Sequence, residues 1–320
     1  MAYAAGIEAF VDKVNAALPP DFYTYQVDRQ RALYDSLVDA LPIPVPDTVT
    51  WRDATVDRDG GPVSLRIYEP ARRTGDGVVF YIRGGGFVIG SLTSHHSLVA
   101  EIADRTGLVT IALDFGMAPE HPFPGPLEDC YVAIRAVLGD PGAFGLTIDT
   151  DAAVIAGESS GANMAVVLSM MARDRGGPAL RGQALLSPVL DFTRWRHGGE
   201  DAPLLSGGEM EYYTACYCPD PEQAAGDYVS PLLDGKFHDL PAAYVVGCEL
   251  DSLRVDAEKY AALLREHGTP VEFVLEPGMV HAPVRARGVS APASDMVRRF
   301  CGAIARLAGN DAPVVARAHD

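Results

Sequence analysis

Apolar residues recur at helical spacing near the N-terminus, over Ile7–Ala17 and again over Arg29–Ala40. The proline-rich stretch Pro42–Pro46 ends the second pattern, because proline cannot continue a helix. The spacing therefore predicts an N-terminal helical arm over residues 1–48.

Two extended runs follow this arm, Val49–Val56 and Val63–Tyr68. The residues between them include Asp59-Gly60-Gly61, which is a strong turn signal between strands. We expect the sheet to begin with an antiparallel hairpin.

From residue 78 onward, short and nearly continuous apolar runs alternate with segments of helix length. Strands buried on both faces have this pattern, and their alternation with helices predicts a mostly parallel central sheet flanked by helices. The predicted strands are Val78–Ile82, Leu108–Leu113, Ala153–Ala156, Gln183–Leu186, Ala243–Val246 and Val271–Leu275. The predicted helices include residues 127–138, Asn163–Arg173, Asp256–Glu266 and Asp295–Leu307.

One interval departs from this alternation. Between Leu190 and Tyr244 the chain is rich in Gly, Pro and aromatic residues. A structureless loop of that length is uncommon inside a compact domain, so we expect small helices there that form a cap with the N-terminal arm. The predicted organisation is an α/β core at 49–190 and 236–320, with a cap insertion at 191–235.

Composition and charge exclude several classes of function. The 320-residue chain has a formal net charge of −17 at pH 7, which repels nucleic acids and anionic lipid surfaces. The sequence lacks a run of 18 apolar residues, and Met1–Pro20 has no basic segment before an apolar one. We therefore expect neither a nucleic-acid partner nor a membrane span nor a signal peptide.

The cysteines favour a reducing compartment. Their number, five, is odd and they are widely spread, unlike the disulfide framework of a secreted domain, so we expect a cytoplasmic protein. Cys216 and Cys218 form the one close pair, and no second Cys/His pair at ligand spacing accompanies them. We predict no metal site.

The segment Gly157-Glu158-Ser159-Ser160-Gly161 fits the G-x-S-x-G pattern of a nucleophile elbow. It follows a predicted strand and precedes a predicted helix, which is the context that the motif requires. The flanking glycines allow a tight turn that exposes the Ser159 hydroxyl at its tip, where the N–H groups of the following helix would stabilise a developing oxyanion. A plain Gly/Ser turn is the alternative.

A second glycine-rich segment, Arg83-Gly84-Gly85-Gly86-Phe87, lies at the end of the first predicted parallel strand. Backbone N–H groups that no side chain covers suit an oxyanion hole. A phosphate-binding loop is disfavoured because neither the Walker lysine nor G-x-G-x-x-G spacing is present. A glycine turn without function stays open.

A nucleophilic serine requires a base and an orienting acid, which follow it in the order acid, then histidine. His281 comes just after a predicted strand and is the predicted base. The other histidines between the serine and the terminal tail are assigned to solvated, cap or helix-end positions: His197, His238 and His267.

Asp251 also comes just after a predicted strand and is the predicted acid. Glu249, Asp256 and Asp191 are its rivals, since each follows Ser159 and precedes His281.

Together these segments resemble the hormone-sensitive-lipase-like family of α/β-hydrolases, in its bacterial esterase branch. Besides the elbow, the stretch Asp114-Phe115-Gly116-Met117-Ala118-Pro119-Glu120 resembles the family's Asp-Tyr-Arg-Leu-Ala-Pro-Glu, and Ser187–Asp191 and Ser230–Leu232 also match its pattern. The resemblance begins near residue 49, and it implies an α/β-hydrolase fold with a helical cap.

The resemblance implies a cofactor-independent esterase acting on short- to medium-chain acyl esters. It aligns Ser159, Asp251 and His281 with the triad, and the backbone N–H groups of Gly84, Gly85 and Ser160 with the oxyanion hole. Asp191, Asp114 and Glu120 fall at positions that look structural in the family. The small ester substrate is the expected partner, and a homodimer would be unsurprising.

The sequence departs from the family pattern chiefly at Arg83, where the family has histidine. A guanidinium there either ties the loop to a nearby carboxylate or attracts an anionic substrate. We expect the substrate pocket between the cap and the strand ends, lined by residues drawn from Arg83, Phe87, Tyr212, Tyr213 and Val280.

Two other functions remain compatible with the sequence. The same triad could cleave a lactone, carbamate or amide or support dehydratase chemistry, because fold and triad specify attack at a carbonyl rather than the leaving group. A ligand-binding protein on a disabled hydrolase scaffold, as in the plant gibberellin receptors, is disfavoured by the intact predicted triad.

Overall fold

The computed structural model describes residues 2–310. The last ten residues of the predicted core segment 236–320 lie outside this range. An eight-stranded sheet runs through the described part of the chain, with helices packed against both of its faces.

The strands agree closely with the apolar runs. They are β1 (Val49–Val56), β2 (Val63–Pro70), β3 (Val78–Ile82), β4 (Val109–Asp114), β5 (Ala153–Glu158), β6 (Gly182–Leu186), β7 (Ala242–Cys248) and β8 (Val271–Glu276). Their order across the sheet is β1-β2-β4-β3-β5-β6-β7-β8. The first two strands pair antiparallel, from Val49 opposite Pro70 to Val56 opposite Val63, as the turn signal predicts.

From β4 onward, neighbouring strands pair in parallel. The carboxyl ends of parallel strands therefore meet at one edge of the sheet, where loops can bring distant residues together. This is the predicted mostly parallel architecture, and the fold prediction is confirmed.

The helices cover the sheet and extend beyond it. They are α1 (Ile7–Ala17), α2 (Val27–Asp35), α3 (Leu37–Ala40), α4 (His96–Thr106), α5 (Gly125–Gly139), α6 (Ser160–Asp174), α7 (Gly207–Tyr217), α8 (Arg254–Glu266) and α9 (Ala291–Leu307). Within the described residues no helix has the length and apolar character needed to cross a membrane.

Two local expectations need correction. The predicted helix Arg29–Ala40 is divided between α2 and α3, and the Ser36 hydroxyl at the junction donates to the Leu33 carbonyl. Strand β8 is not buried on both faces: most of its residues are partly or fully exposed, because it lies at the edge of the sheet. A continuous apolar run does not distinguish an edge strand from a central one.

The irregular interval after β6 contains the small helices expected there. Three 3₁₀ segments accompany α7, namely Phe192–Trp195, Pro221–Ala225 and Pro231–Leu233. Helix α7 begins with a capping box, in which the Ser206 hydroxyl accepts from the Glu209 N–H and the Glu209 carboxylate accepts from the Ser206 N–H. This arrangement fixes the Glu209 side chain at the start of the helix.

Candidate active site

Ser159 occupies a sharp turn between β5 and α6. Its backbone has φ 52° and ψ −121°, which side-chain-bearing residues seldom adopt and which costs about 1–3 kcal/mol. The Ser159 N–H donates to the Leu186 carbonyl over 2.9 Å, and its carbonyl accepts from the Asn163 N–H over 3.0 Å. The strained turn is therefore held from both sides.

The two glycines of the motif are required by close backbone approach. A Cβ atom on Gly161 would lie 2.1 Å from the Ile82 carbonyl oxygen, and one on Gly157 would lie 2.5 Å from the Gly161 oxygen. Helix α6 can therefore pack against the end of β3 only when both positions lack a side chain.

The three residues predicted as a triad meet in space. His281 Nε2 lies 3.0 Å from Ser159 Oγ, and His281 Nδ1 lies 2.9 Å from Asp251 Oδ2. The other carboxylate oxygen of Asp251 accepts from the Leu253 N–H over 2.9 Å, which fixes its orientation. Because the carboxylate accepts from Nδ1–H, Nε2 is left to accept the serine proton.

The rival acids have other contacts. Glu249 accepts from the Gly278 N–H, Asp191 from the Thr193 N–H and hydroxyl, and Asp256 from the N–H groups of Leu190 and Asp191. Of the rival histidines, His197 is exposed, His238 is exposed beside Asp239, and His267 contacts the Leu263 carbonyl at the end of α8.

The groups around His281 favour its charged form more than water favours that of a free histidine. Burial disfavours the imidazolium, but the charge and hydrogen bond of Asp251, with smaller contributions from Glu158 and Glu209, raise the pKa of His281 above 6.5. The imidazole is therefore more basic than in a free histidine, which favours transfer of a proton to it.

The glycine-rich loop faces Ser159 across the site. Gly84, Gly85 and Gly86 all line the same cavity as Ser159 and His281. In the described part of the chain, no acceptor receives a hydrogen bond from their three N–H groups. Gly86, which belongs to the predicted glycine segment but not to the predicted oxyanion donors, is held against the Tyr213 ring, where a Cβ would lie 2.4 Å from a ring carbon.

A cavity of about 90 Å³ adjoins Ser159. Its wall is mainly apolar and comes from the N-terminal helices, the glycine loop and the interval around α7. Among its residues are Phe10, Val14, Leu18, Phe22, Phe87, Leu205, Met210 and Tyr213. Phe87 and Tyr213 were predicted from the sequence, and the N-terminal arm was predicted as part of the cap, but no residue of α1 was named as part of this wall.

Three residues expected at the pocket lie elsewhere. Arg83 is buried with its guanidinium over the Phe115 ring, at 4.2 Å from the centroid, and 3.6 Å from Asp114 Oδ1. Tyr212 on α7 does not line the cavity, and its hydroxyl accepts from the Gln30 side-chain amide. Val280 is fully buried in the core. The expectation that these residues line the cavity is therefore corrected.

The cavity also contains polar side chains that sequence reasoning missed. Glu209 lines it, accepts from the Tyr213 hydroxyl over 3.3 Å, and has its pKa raised to about 7 by burial. Arg285 lines it from the loop after His281. The capping-box spacing of Ser206 and Glu209 was readable in the sequence, but it carried no indication that the carboxyl faces a cavity.

Glu158, just before the serine, is buried beneath the site. Its Oε1 atom accepts from the Tyr81 hydroxyl over 3.1 Å and lies 2.8 Å from His95 Nε2. Burial opposes its charge, but these neighbours hold the pKa of Glu158 below its ordinary value. Partners on β3 and just before α4 therefore stabilise the buried Glu158 carboxylate.

Comparison with known proteins agrees with this fold. The model of a family described as the α/β-hydrolase fold matches residues 79–285. The chain is 31% identical to the esterase LipI of Mycobacterium tuberculosis over 85% of this chain and 87% of that protein. It is 30% identical to an arylesterase of Saccharolobus solfataricus, covering 82% and 86% of the two chains.

Among solved structures, a hyperthermophilic esterase from Pyrobaculum calidifontis superposes with a TM-score of 0.86 at 28% identity. The match covers 96% of this chain and 99% of the other. The chain belongs to the α/β-hydrolase family, and its predicted place among the hormone-sensitive-lipase-like bacterial esterases is confirmed.

We expect NMR titration to place the pKa of His281 above 6.5 and Asp251→Asn to lower it, because the amide leaves the imidazolium without its counter-ion. Loss of the signal in His281→Gln identifies the resonance. A wild-type pKa at or below 6.5, or one that Asp251→Asn leaves unchanged, would contradict the electrostatic description.

Proposed function

We propose that the protein hydrolyses carboxylic esters through an acyl-enzyme on Ser159. The observation that carries this proposal is the continuous contact from Ser159 Oγ to His281 Nε2 and from His281 Nδ1 to Asp251, at 3.0 and 2.9 Å, beside an apolar cavity. The esterases similar to this chain support the choice of an ester as the bond that is cleaved.

In the first half-reaction, His281 Nε2 takes the proton from Ser159 Oγ while that oxygen attacks the ester carbonyl carbon. Asp251 keeps the imidazole in the required tautomer and stabilises its charged form. The imidazolium then donates its proton to the departing alkoxide, and the alcohol is released. The acyl group remains bound to Ser159 as an ester.

Backbone amides stabilise the negative charge that develops on the carbonyl oxygen. The proposed donors are the N–H groups of Gly84, Gly85 and Ser160. The N–H groups of Gly84 and Gly85 donate to no acceptor among the described residues. The Ser160 N–H lies at the start of α6, where the helix dipole favours an anion. In the second half-reaction, water deprotonated by His281 releases the acid.

The size of the cavity favours a small acyl group. A cavity of about 150 Å³ is known to hold a benzene molecule, and the cavity beside Ser159 measures about 90 Å³. This space fits a short aliphatic chain, for which the wall of Phe10, Val14 and Leu205 provides apolar contact. We therefore place the preferred substrates at the short end of the short- to medium-chain range.

The division into core and cap is part of the same proposal. Residues 1–48 and 191–235 would form the cap, and the core would comprise 49–190 and the segment from 236 onward. The support is that α1 and α7, one from each proposed cap segment, both contribute to the cavity wall above Ser159. Arg31 on α2 joins cap to core by a bidentate contact with Glu120.

The cytoplasm is the proposed location, supported by five cysteines that are all free thiols in the described structure. The homodimer suggested by the family resemblance stays a prediction.

We expect p-nitrophenyl esters from acetate to palmitate to be hydrolysed with a maximum among the short chains. Ser159→Ala should lower turnover by at least about 10⁴-fold, since it removes the covalent route. Ser169→Ala is the matched control, because that hydroxyl lies within α6, the helix that follows Ser159, and donates to the Ala165 carbonyl. Equal activity of the Ser159→Ala variant and the wild type would refute the proposal.

Truncating a side chain in the cavity wall should change the preferred length of the acyl chain. Met210→Ala removes three side-chain heavy atoms from the wall and is expected to move the optimum toward longer acyl chains. Met171→Ala, an equal truncation of a buried residue on α6 away from the cavity, serves as control. If both variants keep the wild-type optimum, the cavity does not hold the acyl group.

A further inference from the structure

Arg285 places a cation in the wall of the active-site cavity. It belongs to the 3₁₀ segment Pro283–Gly288, four residues after His281, and it lines the cavity together with Ser159 and Glu158. The remainder of that wall is largely apolar. A guanidinium in such surroundings requires a physical explanation, because desolvating a charge is costly unless the charge is paired.

The guanidinium of Arg285 is incompletely satisfied. Its Nη2 atom is buried and has no hydrogen-bond partner among the described residues. Its central carbon lies 4.7 Å from the centroid of the Tyr34 ring, a cation–π contact that does not supply Nη2 with a hydrogen bond. Arg287 on the same segment differs: its three nitrogens donate to Glu101, the Val284 carbonyl and Ser97.

Nearby charges keep Arg285 ionised without engaging that donor. Burial opposes the charge, but the electrostatic interaction and side-chain hydrogen bond with Tyr34, together with the charge of Glu158, raise the pKa of Arg285 above its ordinary value. The Oε1 atom of Glu158 contacts Tyr81 and His95, and its buried Oε2 atom has no hydrogen-bond partner among the described residues, Arg285 included. Glu209, the other acid in the cavity wall, has a pKa of about 7 and is therefore substantially protonated at neutral pH.

Resting on the esterase function proposed above, we propose that Arg285 forms a carboxylate-binding subsite within the active-site cavity. The enzyme then prefers esters that carry a second, ionised carboxyl group over neutral esters of the same size. The sequence left two roles open for Arg83, a tie to a nearby carboxylate or attraction of an anionic substrate. In the structure Arg83 lies near Asp114, and Arg285 is the arginine that lines the cavity.

The chemistry of the guanidinium selects this ligand. Its planar set of donors matches the two oxygens of a carboxylate, and charge-assisted hydrogen bonds are about twice as strong as neutral ones. A neutral ester group offers one weaker acceptor and no charge. Loss of this interaction should lower kcat/KM for the anionic substrate by about 10- to 100-fold relative to its neutral counterpart.

The test compares matched substrate pairs. The first pair is the mono-p-nitrophenyl ester of glutaric acid and its methyl ester, which places the carboxylate in the acyl part. The second pair is acetoxybenzoate and methyl acetoxybenzoate, which places it in the alcohol part. The measured quantity is the ratio of kcat/KM for the anionic member to that for the neutral member, in the wild type and in each variant.

Three variants test whether the ratio depends on Arg285. Arg285→Met removes charge and donors and should lower the ratio of at least one pair by about tenfold or more. Arg285→Lys keeps the charge but lacks the planar fork, and should lower it by a smaller factor. Arg298→Met, on the exposed side of α9, removes one positive charge far from the cavity and should leave both ratios at their wild-type values.

A binding measurement makes the test independent of turnover. Calorimetric titration of Ser159→Ala with monomethyl glutarate should show binding that the double variant Ser159→Ala/Arg285→Met weakens by about tenfold or more. The inference is overturned if the wild type favours the neutral member of both pairs, or if Arg285→Met changes neither the ratios nor this affinity. Absence of Ser159-dependent hydrolysis of the neutral esters would instead overturn the proposed function.

Discussion

The close approach of helix α6 to the end of β3 is the constraint on which the site depends. Gly161 lies so near the Ile82 carbonyl that any side chain would collide with it, and Gly157 is equally restricted by Gly161. Between these contacts, Ser159 is held at a positive φ that side chains disfavour. The strain is offset by packing around the turn, and the result is a hydroxyl fixed at the carboxyl edge of the sheet with the first N–H groups of α6 beside it.

The parallel sheet supplies the other two groups. Asp251 follows β7 and His281 follows β8, and because β5 to β8 are successive neighbours in one parallel array, their following loops lie along the same edge. Buried Asp251 is oriented by the Leu253 N–H, so its charge acts on His281 in a region from which solvent is largely excluded. The hydrogen bond between Asp251 and His281 and the raised pKa of the His281 imidazole therefore both result from the strand order of the sheet.

Most of the core and the central residues of the site could be predicted from the sequence, because each is encoded locally. Apolar runs located the strands to within a few residues, and G-x-S-x-G in a strand-to-helix context located Ser159. Arg83 and Tyr212 were placed at the pocket although they face other partners, since side-chain direction after a strand or on a short helix depends on tertiary packing. Glu209 and Arg285 were missed for the same reason: neither a capping-box glutamate nor an arginine in a loop shows from spacing that it faces a cavity.

Trapping the intermediate tests the central claim most directly. The wild-type enzyme, mixed with p-nitrophenyl butyrate and quenched in acid during turnover, is digested and analysed by mass spectrometry. The account predicts that the peptide containing Ser159 carries one butyryl group and that the same peptide from Ser159→Ala carries none. Turnover with no acylated peptide under conditions where release of the acid is rate-limiting, or acylation at another residue, would contradict it.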